Sequence, residues 1–198
     1  LVAPASKSHS LRAILFAALA EGTSTLHNCL LSTDKQAMVA AWRQCGALIE
    51  DSGSSLIVQG VAGHCVAPTE PVDAGNSGIV LRFMAALAAT QSKPMVITGD
   101  QSVCSNRPVK PLIDALPQLG AVCRSVRGNQ HAPIEVYGPI GSGCIIIDGA
   151  DSQPVSGLMI AASQTEGTQE IIVNSPGELP WLDLTLWWLD RLGIPYER

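Results

Sequence analysis

The sequence predicts an α/β domain with pseudo-threefold symmetry. Three βαβαββ-like units each bury a first helix, the buried helices running parallel, and carry a sheet on the outside. Three observations predict it. Helix-ending glycines recur at Gly46, Gly120 and Gly193, spaced 74 and 73 residues apart. The helix that opens each unit is apolar on every side, which marks a buried helix. Hydrophobic residues make up 46% of the 198-residue chain, enough for a sizeable core.

Taken in order, unit one covers about residues 1–66. Its first helix holds the run from Ala13 to Ala20, which has no polar face. A strand is expected over 24–29. Thr33 and Gln36 then have capping-box spacing, with Asp34 in the first turn, so a second helix starts there and stops at Gly46. A strand over 55–59 follows. Unit two, about 67–140, repeats the plan. Its buried helix includes 83–89, a strand covers 94–98, and Pro108 opens a helix that ends near Leu119. Strands over 122–126 and 134–136 complete it. Unit three, 141–198, has strands over 144–147 and 170–173, an apolar helix around 158–162, and a last helix from Pro180 to Leu192. Its final strands are expected to be missing. No Pro-, Gly- or Ser-rich linker divides the chain, so residues 1–198 read as one domain.

A polar signature precedes each apolar helix: Pro4-Ala-Ser-Lys-Ser-His-Ser-Leu-Arg12, Gly75-Asn-Ser-Gly-Ile-Val-Leu-Arg82 and Asp148-Gly-Ala-Asp-Ser-Gln-Pro154. Helix N-termini offer unpaired N–H groups and a partial positive charge, and so attract anions. Capping alone explains a Ser or Asn at one such position. It explains less well three signatures, two of them with an Arg in the next turn. Arg12 and Arg82 enter apolar helices, where a guanidinium needs an anionic partner, either a ligand or a carboxylate such as Asp73. Lys7 sits between two serines in the segment feeding the first helix. A surface lysine is the plain alternative to a cation that meets phosphate or carboxylate. Arg107 follows Ser105-Asn106 and precedes Pro108, in a loop that suits bidentate capture of an oxyanion.

Composition excludes several classes. The net charge of −5 argues against nucleic-acid binding. No apolar stretch has membrane-spanning length, and the opening residues are not expected to form a signal peptide. The six cysteines are dispersed without a CxxC pair, and the four histidines lack ligand spacing, so neither a disulfide framework nor a metal site is expected. Free, mostly buried thiols fit a reducing compartment. The four tryptophans read as packing residues. Gly141-Ser-Gly143 precedes a strand-like run and is no dinucleotide loop.

The motifs together resemble the 3-phosphoshikimate 1-carboxyvinyltransferases (EPSP synthases). Pro4-x-Ser-Lys-Ser…Arg12, Gly75-Asn-Ser-Gly78…Arg82, Thr98-Gly-Asp100…Arg107-Pro108 and Ser152-Gln153 are similar to that family's motifs, in the same order along the chain. The resemblance implies an inside-out α/β barrel and a cofactor-free, metal-free cytoplasmic enzyme of aromatic amino acid biosynthesis, the target of glyphosate. It implies enolpyruvyl transfer from phosphoenolpyruvate to shikimate 3-phosphate. Lys7 would be catalytic, lying between the substrates. Lys7, Ser8, Arg12, Ser152 and Gln153 would bind shikimate 3-phosphate, with Ser8 and Arg12 on its carboxylate. Lys7, Gly78, Arg107 and Gln153 would bind phosphoenolpyruvate, and Asn76 and Arg82 would support the site. The family's acid and base lie on a second domain, so residues 1–198 alone are expected to bind weakly and turn over little. Five departures stand out: Ala5 for Gly, Leu11 for Asn, Ile79 for Thr, and the acidic Asp151 and Glu178 where the family has Ser. Two other readings compete. One is a UDP-N-acetylglucosamine enolpyruvyl transferase, with Cys104 three residues before Arg107. The other is a noncatalytic repeat module.

Overall fold

The computed structural model describes residues 3–198. In unit one, Ser6 caps α1 (Lys7–Leu19) by accepting from the His9 N–H at 3.4 Å. Three strands, β1 (Thr23–Leu26), β2 (Leu48–Asp51) and β3 (Leu56–Gln59), form an antiparallel sheet in the order β1-β3-β2. Helix α2 (Thr33–Gln44) lies between β1 and β2. Its N-cap is Ser32 rather than Thr33, because the Ser32 hydroxyl accepts from the Lys35 N–H at 3.2 Å. This moves the cap one residue back from its expected place.

Unit two builds a four-stranded sheet, β4-β5-β7-β6, from β4 (Val72–Asp73), β5 (Met95–Thr98), β6 (Val122–Ser125) and β7 (Ile134–Tyr137). Its buried helix, α3 (Gly78–Ala88), is capped by Ser77. A short helix absent from the sequence reading, α4 (Gln101–Asn106), follows β5, with Asp100 as its N-cap. The expected single helix starting at Pro108 is α5 (Lys110–Ala115) continued by a 3₁₀ turn (Leu116–Leu119), and the proline in its first turn is Pro111. Unit three pairs β8 (Gly143–Asp148) and β9 (Gln169–Asn174) in parallel and adds α6 (Ser152–Ala162) and α7 (Leu179–Leu192). The three glycine stops hold: Gly46, Gly120 and Gly193 have φ of 102°, 87° and 68°.

The interior is made by α1, α3 and α6. Leu11, Ile14 and Leu15 on α1, Leu81, Phe83 and Met84 on α3, and Ile160 on α6 are all buried. Helices α3 and α6 lie close because Gly157 has no side chain; a Cβ there would stand 3.1 Å from Ala86 Cβ and from the Arg82 carbonyl oxygen. Their first residues are also neighbours, so the two helices run parallel. Trp42 is fully buried, but Trp181 and Trp187 are each 45% exposed, so these two are not core residues. Among the described residues no helix is long and apolar enough to cross a membrane.

Candidate functional site

The starts of the three interior helices meet. On α1, the Lys7 ammonium lies 3.7 Å from Asp34 Oδ2, in the first turn of α2. The other Asp34 oxygen accepts from the Ser77 hydroxyl at 2.6 Å, and Ser77 caps α3. The next residue is Gly78. A Cβ at Gly78 would lie 2.7 Å from Arg82 Nη1, 3.5 Å from Gln153 Oε1 and 3.6 Å from Arg107 Cδ. A side chain added there would have to displace the Arg82 guanidinium from Gln153 and the Pro108 carbonyl. Gln153, in the first turn of α6, accepts from Arg82 Nη1 at 2.9 Å. The line Lys7–Asp34–Ser77–Gly78–Gln153 thus connects α1, α3 and α6, with Arg107 beside it.

Arg82 is 4% exposed and needs its partners. They are Gln153, the Pro108 carbonyl at 3.1 Å, and Asp151 at 3.1 Å. Its counter-ion is therefore Asp151 and not Asp73, whose carboxylate accepts from the Gly75 N–H at 2.8 Å. Burial pulls the Arg82 pKa down; Asp151 opposes this, Arg107 adds to it, and Glu178 opposes it. The Arg82 Nε is buried with no hydrogen-bond partner. Asp151 also caps α6, accepting from the Gln153 N–H at 2.9 Å. Ser152 is buried, and both its N–H (3.3 Å) and its hydroxyl (2.7 Å) donate to Glu178 Oε2.

Arg12 is placed differently. It is 2% exposed, and its guanidinium is turned into the interior. It donates to Thr185 Oγ1 from Nε (3.0 Å) and Nη2 (2.8 Å), to Ser156 Oγ (3.2 Å), and to the Trp181 and Ser8 carbonyls (3.2 and 3.3 Å). It sits 5.3 Å from the Phe83 ring centroid. No carboxylate pairs with it among the described residues, and burial lowers its pKa to about 10. Within the protein its partners are neutral acceptors and an aromatic face rather than a carboxylate. Of Ser8, the structure brings the carbonyl to Arg12. Asn76 lies in the exposed turn before Ser77.

Lys7 and Arg107 are the accessible cations here. The Lys7 side chain is 52% exposed, and Arg107, the C-cap of α4, is exposed and makes no ion pair among the described residues. Cys104 is 7% exposed, and its thiol donates to the Gly99 carbonyl at 3.3 Å. A hollow of about 420 Å³ opens between His9, Thr25–Cys29 and Trp188. Its lining includes none of Lys7, Gly78, Arg107 or Gln153, so it is separate from this cluster. Sequence reasoning missed Asp34 as the link between Lys7 and α3. The only signal was an acidic residue in a helix's first turn, and nothing local puts it beside Lys7.

A family model described as EPSP synthase (3-phosphoshikimate 1-carboxyvinyltransferase) matches residues 1–198. The 3-phosphoshikimate 1-carboxyvinyltransferase of Chlamydia caviae is 46% identical over 196 residues, covering 98% of this chain and 44% of that protein. The enzyme of that name from Acetivibrio thermocellus is 41% identical over 195 residues, covering 98% of this chain and 46% of that protein. A solved structure of EPSP synthase from Acinetobacter baumannii superposes with a TM-score of 0.81 at 28% identity, over 89% of this chain and 41% of that one. The chain spans less than half the length of the relatives it matches.

Proposed function

Because the chain belongs to the EPSP synthase family, we propose that it supplies part of the site for enolpyruvyl transfer from phosphoenolpyruvate to the 5-hydroxyl of shikimate 3-phosphate. The products are 5-enolpyruvylshikimate 3-phosphate and phosphate. The carrying observation is the convergence of Lys7, Gly78, Arg107 and Gln153 where three interior helices begin.

In this reading the acceptor hydroxyl gives up its proton as its oxygen bonds to C2 of phosphoenolpyruvate and C3 gains a proton. C3 then gives a proton back as the C2–O bond to phosphate breaks. Lys7 stands between the substrates as the catalytic cation. Arg107 holds the phosphate of phosphoenolpyruvate, which approaches bare backbone at Gly78. Ser8, Arg12, Ser152 and Gln153 face the acceptor, Ser8 and Arg12 on its carboxylate side. Arg82 holds Gln153 and Asp151 in place, and Asn76 supports the turn into α3. Arg12 ties α1 to α6 and α7, and so sets the direction of the segment bearing Lys7. Catalysis rests on positioning and charge stabilisation. Residues 1–198 form one domain of three units, and a second domain of the same enzyme completes the site. We place the reaction in the cytoplasm, where dispersed thiols stay reduced.

Calorimetric titration of phosphoenolpyruvate into the 198-residue chain tests this. Lys7→Ala and Arg107→Ala should each weaken binding by about tenfold, the worth of one charge-assisted hydrogen bond. Equal binding by all three proteins would remove both residues from the site. The uridine-nucleotide reading is less favoured, since it needs an accessible Cys104.

A further inference from the structure

Resting on that reading of the site, we propose that Glu178 is a specificity-determining residue. Its carboxylate takes the place of an acceptor's phosphate on Ser152, so the chain holds a phosphorylated acceptor less tightly than its Glu178→Ser variant would.

Four observations carry this. First, Ser152 opens α6 and offers two donors, the backbone N–H and the hydroxyl, and both already go to one oxygen of Glu178. A hydroxyl has one proton to give, so a phosphate oxygen and the Glu178 carboxylate cannot both take it. Second, the carboxylate is not there to serve its own helix. Glu178 is the N-cap residue of α7 but makes no side-chain cap bond to it. Third, the segment carrying Glu178 is clamped against the loop before α6. The Gly177 N–H donates to the Gly149 carbonyl at 2.9 Å, and a Cβ at Gly177 would stand 2.6 Å from the Ala150 carbonyl oxygen. The backbone therefore holds Glu178 where it is, and only rotation of the side chain can free Ser152. Fourth, the next donors are also taken by carboxylate: the Gln153 N–H and Arg82 Nη2 both go to Asp151. A phosphate arriving at the start of α6 meets two carboxylates and no free donor from Ser152.

The test uses the 198-residue chain and its Glu178→Ser and Glu178→Gln variants, the second keeping size while losing charge. Inorganic phosphate is titrated while the Ser152 amide is followed by ¹⁵N NMR. Shikimate and shikimate 3-phosphate are titrated by calorimetry. The Ser152 amide should stay still in the native chain and move in Glu178→Ser. Shikimate 3-phosphate should bind Glu178→Ser about tenfold or more tightly than the native chain, with Glu178→Gln between them and shikimate nearly unchanged. Equal phosphate midpoints at Ser152, or equal affinities for shikimate 3-phosphate, would overturn the proposal while leaving the site reading intact. If no variant binds either acceptor, yet Ser152 still answers phosphate in Glu178→Ser alone, the acceptor reading fails. The specificity proposal then falls with its premise.

Discussion

Thr185→Val is the sharpest test of how the interior helices are held. Thr185 is fully buried and accepts two bonds from Arg12, at 3.0 and 2.8 Å. Valine keeps the shape and deletes the acceptor. Arg12 Nε then has no partner, and Nη2 keeps only Ser156 and the Trp181 carbonyl. Bonds to a charged donor contribute about 1.5–3 kcal/mol each, and a buried charge stripped of partners costs about 3–5 kcal/mol, so a loss of about 3 kcal/mol is expected. Arg12→Met should cost far less, about 1 kcal/mol or under, because the charge leaves with its bonds. Thr185 can still give its one proton to Ser156 (2.9 Å) or to the Trp181 carbonyl (3.2 Å), and methionine can lie on Phe83. In the double variant the second change should add almost nothing, since valine then faces no charge. Urea unfolding of the four proteins gives the cycle. A Thr185→Val midpoint within error of the native one, or strict additivity in the double variant, would refute the account of Arg12 as a charge held by neutral acceptors.

Three further outcomes follow from particular contacts. Gly78→Ala sits in a helix, where alanine is intrinsically favoured, yet its Cβ would press on Arg82 Nη1; crowding should win and cost about 1–3 kcal/mol by thermal or urea unfolding. The buried Lys35 ammonium donates to both Asp51 oxygens (2.7 and 2.9 Å) and to the Gly53 carbonyl. That bond lowers the Asp51 pKa, so its stabilisation is whole above the unfolded value near ~4 and is lost as pH falls through the lower folded value. Asp51→Asn should therefore destabilise at neutral pH and flatten the acid limb of the stability curve. Cys104→Ala should leave phosphoenolpyruvate binding unchanged and cost about 1 kcal/mol, whereas loss of binding would revive the thiol-bearing alternative.

Periodic features were legible because they depend on local sequence. Apolar all-round runs located α1, α3 and α6, and glycines with left-handed geometry fixed where second helices end. What escaped lacked such a signature. Strand β2, Leu-Ile-Glu-Asp, has an exposed Leu48 and two acids, so only its pairing with β3 makes it a strand. Strand β4 is two residues long and exists through parallel contact with β5. Helix α4 carries few apolar residues, and its signal was the Asp100 cap, read as part of a binding motif.

The cations of the site were legible and their partners were not, for a physical reason. A Lys or Arg beside an apolar helix stands out in one dimension, because burial of its charge demands explanation. A carboxylate in a loop demands none, since it reads as solvated. Yet three carboxylates decide what the cations can do. Asp34 faces Lys7, Asp151 pairs with Arg82, and Glu178 takes both donors of Ser152. With Arg107 the cluster counts three cations against three carboxylates, so an incoming oxyanion meets a site near formal neutrality. Its binding free energy must come from replacing internal acceptors or from the exposed Lys7 and Arg107, not from an excess of positive charge. Those two residues should therefore dominate anion affinity, and changing Glu178 should alter which anion is accepted more than it alters how the domain folds.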